Sequence, residues 1–204
     1  MKKQIAATML WLGLHASSLA GLAEGVLAYK EQHYAAALKE IAPLARAGNA
    51  DAEHLLGLMY YMGHGLPRDY KQAFRWHRKA ALQGLPAAEY VVGAMYYTGN
   101  AVPQDQALAV SWFRKAAGQG HPDAQYALGL MYRYHVAGLP EDAVLAYMLW
   151  DLAAARGHRN AGEQRADIAR RMTEAQIEEA QRLSRNWQPG MPLPSRPHKS
   201  SSTS

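Results

Sequence analysis

The chain has 204 residues, 49% hydrophobic and 19% charged, which suits one compact domain or a short repeat array. It contains no Cys, so disulfides, thiolate metal sites and a Cys nucleophile are excluded. Its 22 Lys and Arg against 17 Asp and Glu give +5, but Lys2, Lys3, Arg196 and Lys199 sit in the terminal stretches. The body is therefore nearly neutral and lacks the basic face that nucleic-acid binding needs.

The N-terminus reads MKKQIAATMLWLGLHASSLAG. Lys2 and Lys3 precede an apolar run from Ile5 to Leu14, which is shorter than the ~20 residues of a membrane span. Ser18 and Ala20 place small residues at −3 and −1 of a cleavage site. Residues 1–20 are expected to be a cleaved bacterial-type signal peptide, giving a periplasmic or secreted protein. No later stretch is long and apolar enough to span, so no stable membrane span is expected after cleavage.

Residues 21–51 read as an N-terminal half repeat. Tyr34, Ala37, Ala45 and Gly48 match Tyr70, Ala73, Ala81 and Gly84. Full units then begin at Ala52, Ala88 and Ala124, the third gaining one residue before its Pro. Gly57, Gly93 and Gly129 align, as do Tyr60, Tyr96 and Tyr132. Asp69, Asp105 and Asp142 recur, and Gly84, Gly120 and Gly157 close the units. The array is expected over residues 52–159.

Each unit reads as two helices. In the first, Ala52, Leu56 and Tyr60 share a face. Pro67 interrupts the chain, and Asp69 stands where an N-cap belongs. In the second, Ala73, Trp76 and Ala80 share a face, and Gly84 follows as a C′ glycine. Pro86 and Pro122 fall where the next helix starts. A mid-helix glycine costs about 1 kcal/mol relative to Ala, so Gly57, Gly93 and Gly129 imply that a neighbouring helix or an aromatic ring packs close to the backbone. Trp76 and Trp112, in WHRKAALQG and WFRKAAGQG, are the expected rings.

This pattern resembles the SEL-one-like repeat family, a relative of the tetratricopeptide repeats, with consensus A-x-x-x-L-G-x-x-Y-x-x-G-x-G-V-P-x-D-x-x-x-A-x-x-W-x-x-K-A-A-x-Q-G. The unit at Ala52 follows nearly all of it. The unit at Ala88 departs at Ala101, where a loop Gly belongs. In the third, His135 replaces the other loop Gly and Trp150 stands out of register. The resemblance implies an all-α fold, a right-handed α-solenoid of two-helix repeats, and an adaptor role in protein complexes.

After the array, a helix is expected over Asn160 to Arg171. A second follows in MTEAQIEEAQRLSRNW, opened by a Thr173/Gln176 capping box. Residues 160–188 are thus a C-terminal capping helix pair. Residues 189–204, rich in Pro and Ser, are expected to be a disordered tail.

Catalytic constellations do not emerge. Between Gly21 and Leu183 the only Ser is Ser111, and no G-x-S-x-G occurs. The nine His form no H-E-x-x-H, so no metal and no cofactor is expected. Glu53 and Glu89 occupy matching sites through repetition. Gly63, His64 and Gly65 read as a turn, and the Arg78-Lys79 and Arg114-Lys115 pairs as a solvated face.

The resemblance also carries tetratricopeptide groove positions onto the first helices. It gives the rows His54/Tyr90/Tyr126, Leu58/Ala94/Leu130, Tyr61/Tyr97/Arg133 and Met62/Thr98/Tyr134. Of these, His54, Tyr61, Tyr90, Tyr97, Tyr126, Arg133 and Tyr134 are expected to bind a partner. The expected function is a non-catalytic secreted or periplasmic adaptor for a protein partner in the cell envelope. The alternative is a cell-wall glycan or β-lactam binding protein, or an envelope hydrolase. Some cysteine-rich relatives are linked to such ligands, but their Cys pairs are missing here.

Overall fold

The computed structural model describes residues 19–195, and every regular element among them is helical. The expected signal sequence through Ser18 and the tail from Arg196 lie outside the described residues. The chain divides into two compact units between Ala88 and Glu89.

The first unit holds α1 (residues 19–30), α2 (Tyr34–Arg46), α3 (Ala50–Met62) and α4 (Tyr70–Leu82). Consecutive helices pair, α2 on α3 and α3 on α4. Ile41, Ala45, Ala52 and Leu56 form the core, with Trp76 and Tyr60 packed at its margin.

The division falls within the first turn of α5 (Pro86–Thr98). The second unit continues through α6 (Gln106–Gly118), α7 (Pro122–Arg133), α8 (Ala143–Ala155), α9 (Ala161–Ala169) and α10 (Glu174–Asn186). Here α6 packs on α7 and α7 on α8, and α8 also meets α9 and α10. Nine of the 13 residues of α8 are buried, among them Val144, Met148 and Trp150. The sequence of α8 is apolar on every face but that of Asp151, because neighbours cover it on several sides.

The punctuation of each unit works as its chemistry requires. Asp69 accepts from the amides of Lys71 and Gln72, Asp105 from Leu108, and Asp142 from Leu145. Each thereby satisfies donors that the first helical turn leaves without partners. Gly84, Gly120 and Gly157 have φ of +85°, +88° and +84°, the left-handed region that lets the chain leave the helix. The Thr173/Gln176 capping box forms at the start of α10.

The ring over each mid-helix glycine is not the expected Trp. A Cβ at Gly57 would lie 2.9 Å from the His77 ring, and one at Gly93 2.9 Å from Phe113. At Gly129 it would lie 2.5 Å from Nε1 of Trp150. The residue one place after the recurrent Trp faces the glycine, and Trp150 is in register with Phe113 and His77. Trp76 and Trp112 instead take the ammonium of Lys79 and Lys115 over their rings, at 4.2 and 4.3 Å.

The recurrent Lys and Gln have a further role. Gln83 donates to Glu53 at 2.7 Å, and Gln119 to Glu89 at 2.8 Å. Both glutamates are only 4% exposed as whole residues. Burial raises the pKa of each, opposed by the Gln hydrogen bond and the nearby Lys79 or Lys115. The third unit changes the whole set together: Gln125, Leu152 and Arg156 stand in place of Glu, Lys and Gln.

Residues 189–195, the first part of the segment expected to be disordered, lie against the second unit. The Gly190 amide donates to the Gly118 carbonyl at 2.8 Å, and the Trp187 indole to the Met191 carbonyl at 3.2 Å. Leu193 packs on the core. Three prolines and a turn at Gly190 (φ +93°) explain why this stretch is ordered without being helical.

Candidate functional site

An apolar groove opens on the second unit between α5 and α7. It encloses about 290 Å³, with walls from Tyr90, Ala94, Tyr97 and Thr98 of α5 and from Ala127, Leu130 and Met131 of α7. Phe113 of α6 contributes to the lining, and Tyr134 and Val136 close the side beyond α7. Helical spacing puts Tyr90, Ala94, Tyr97 and Thr98 along one face, offset by three or four residues.

The wall beyond α7 has an unusual backbone. His135 and Ala137 have φ of +54° and +60°, positions where glycine would be unstrained. In the first two units Gly63 and Gly99 occupy the place of His135. Glu141 holds this loop with two contacts, accepting from Arg133 at 3.3 Å and meeting Nε2 of His135 at 3.1 Å. The guanidinium of Arg133 also lies over the Tyr134 ring, 5.6 Å from its centroid.

The expected partner-binding residues divide into three groups. Tyr90, Tyr97 and Tyr134 line the groove, and the latter two are 38% and 61% exposed. Tyr90 is half-buried, its ring stacked on His121 at 5.1 Å. Burial raises the Tyr90 pKa, and the Asp123 carboxylate adds to that, so its hydroxyl stays protonated. Arg133 braces the rim through Glu141. Tyr126 does not line the groove; its ring stacks on His158 at 4.1 Å. His54 and Tyr61 belong to the first unit. His54 meets Nδ1 of His77 at 3.1 Å, and Tyr61 sits edge-on to Tyr70 at 5.1 Å.

Four lining residues went unmarked in the sequence, the small Ala127 among them. Phe113 was hidden beside the more conspicuous Trp112. Val136 lies in the lengthened loop of the third unit. Met131 reads as an ordinary core position.

The histidines among the described residues that lie near the helix packing are engaged in ring stacking and hydrogen bonding. His64 lies between Tyr29, whose hydroxyl is 3.0 Å from Nδ1, and the stacked ring of Tyr34. His121 accepts from the Ala124 amide at the start of α7, and burial lowers its pKa. Among the described residues no group of three or more His, Asp or Glu converges as a metal site would require. No helix among them is long and apolar enough to cross a membrane.

Tandem two-helix units, helix-breaking loops at fixed spacing and a ring against each mid-helix glycine define an all-α repeat protein. The Sel1 repeat model matches residues 50–85, 86–121 and 122–158, more than half the chain, so the chain belongs to the Sel1 repeat family. A crystal structure of a Sel1 repeat protein from Oxalobacter formigenes is 28% identical, with a TM-score of 0.64 over 69% of this chain and 57% of that one. A protective antigen of uropathogenic Escherichia coli strains, displaying an SLR fold, is 33% identical with a TM-score of 0.66, over 73% of this chain and 32% of that one. The chain thus spans 57% or less of the length of either structure. No curated protein matches it significantly.

Proposed function

We propose that the protein is a non-catalytic adaptor of the cell envelope, exported by its N-terminal segment, that grips a protein partner in the α5–α7 groove. One observation carries this reading. The groove presents Tyr90, Tyr97, Tyr134 and Phe113 around about 290 Å³, room for one bulky apolar side chain and little more. Tyr and its neighbours bury large area at small entropic cost, which suits an anchor site in a protein interface. Membership of a repeat family used widely for protein interaction supports the same reading.

The test uses photo-crosslinking side chains placed at Leu130 and Thr98, inside the groove, in cells that export the protein. A discrete protein adduct is expected, and Tyr97→Ala with Tyr134→Ala should weaken its binding about tenfold or more per residue. Circular dichroism checks that the helices remain. Unchanged partner recovery by the double variant sinks the groove, and Tyr-dependent sedimentation with peptidoglycan would replace a protein partner with a glycan. Mass spectrometry of the exported protein should find Gly21 as its first residue.

A further inference from the structure

The C-terminal strap on α6 and α8 leaves part of its own seat empty. Residues 190–195 and α6 together wall an open cleft of about 380 Å³, lined also by Arg114, Lys115, Gln119 and Tyr132. The strap is held lightly. Two hydrogen bonds tie its backbone to the helices, from the Gly190 amide to the Gly118 carbonyl and from the Trp187 indole to the Met191 carbonyl, and only Leu193 and Pro194 are half-buried. Met191 faces the cleft 48% exposed, and its sulfur accepts from the Gln188 amide at 3.3 Å, so the strap brings no anion to the cations.

We propose that this surface is a site for non-helical, proline-punctuated peptides bearing a carboxylate, and that residues 189–195 are a weak occupant in cis. Three observations support the proposal. The seated strap shows the peptide geometry directly: a turn at Pro189 and Gly190, then a non-helical run in which Pro192 and Pro194 fix φ and so lower the ordering cost. The Gly118 carbonyl gives the peptide backbone an acceptor near the end of α6. The unfilled wall is cationic, with no Asp or Glu among its lining residues.

The charges facing the cleft favour an acidic visitor over the strap. Lys115 is shared with the buried Glu89 and with the Trp112 ring. Arg114 donates to the Tyr132 hydroxyl at 2.7 Å through one nitrogen, which leaves its remaining N–H groups for a ligand. The chain continues past Ser195 into Arg196 and Lys199, charges of the wrong sign for this wall. A carboxylate at the place of Met191 would enter the cleft that Arg114 also lines, where the guanidinium has N–H groups beyond the one given to Tyr132.

The experiment uses the full chain and two labelled peptides, QPGMPLPS and the same peptide with Met191→Glu. Fluorescence anisotropy reads binding, and amide exchange at Gly190 reads displacement of the strap. The Glu peptide should bind about tenfold more tightly than its neutral twin, and Gly190 should lose protection as it does so. Arg114→Gln should level the two peptides. Leu193→Ser, which removes the strap's own apolar contact with the core and leaves α6 and α8 intact, should tighten both. Neither peptide binding at about millimolar concentration would overturn the proposal. So would binding that leaves Gly190 protected, a Glu preference that survives Arg114→Gln, or equal affinity for wild type and Leu193→Ser. Inorganic phosphate that loosens Gly190 while the Glu peptide does not would assign the cleft to a simple anion instead.

Discussion

His77 shows how much one residue can set. It fills the place over a mid-helix glycine that Phe113 and Trp150 fill in the other units, yet it is polar and 1% exposed. Its partner is Nδ1 of His54 at 3.1 Å, so one ring must donate and the other accept. Burial, aided by the neighbouring His54, lowers the His77 pKa from 6.5 to about 3. The unfolded chain therefore takes up a proton below pH 6.5 that the folded chain refuses until near pH 3. Stability contributed by neutral His77 is present above pH 6.5 and lost as pH falls through that window, at about 1.4 kcal/mol per pH unit. His77→Phe copies the second unit's solution and should flatten this acid-side slope. Denaturant titrations of both proteins at pH 7 and pH 5 check it: the stability difference should move in favour of the variant at pH 5. A difference independent of pH would mean that His77 is not held neutral.

At the scale of the element, the fit between ring and glycine organises each helical hairpin. Trp150 lies so close to Gly129 that a Cβ would sit 2.5 Å from Nε1, and that nitrogen donates to the Tyr126 carbonyl at 3.2 Å. Ala is the better helix former by about 1 kcal/mol, so Gly129→Ala tests which effect governs. Overpacking against a 1% exposed ring should win, for a net loss of about 1–3 kcal/mol on chemical unfolding. Gly162 offers a control in α9, with open space where its Cβ would go, and Gly162→Ala should be neutral or stabilising. The helices and caps were legible in sequence because Asp, Pro and Gly act locally and recur at a fixed period. The ring assignment was not. Trp76 and His77 are adjacent, and helical periodicity at this length does not resolve a rotation of one residue. The third unit held the missing signal, since its single Trp aligns with His77 and Phe113 once the inserted loop residue is counted. The groove was half legible: repeat positions placed Tyr90, Tyr97 and Tyr134 together, while the stacking of Tyr126 on His158 depends on a neighbouring loop that the row itself does not reveal.

Within the whole molecule, α8 is where the repeats end and the cap begins. A repeat array cannot leave its last apolar face in water, because each unit's core is completed by the next. Here α9 and α10 complete it. Ile168 and Ala180 are buried in the same core as α8. Ser184 donates to the Met148 carbonyl at 3.4 Å, and Gln181 to the Tyr147 hydroxyl at 3.4 Å. The ion pair between Arg165 and Asp151 adds a polar clasp at the edge, where partial exposure limits its worth to about 1 kcal/mol or less. Cap contacts of this kind contribute chiefly through apolar burial, at roughly 25 cal/mol per Å². A chain ending at His158 would keep all three repeats and uncover the side of α8 that α10 protects. The expected result is a protein that binds a hydrophobic dye and self-associates, since large continuous apolar patches seldom stay in water. Light scattering and dye fluorescence on the truncated and full chains read this directly. A monomeric, dye-negative truncation with native helicity would show that α8 needs no cap, and that its apolar circumference serves something other than the fold.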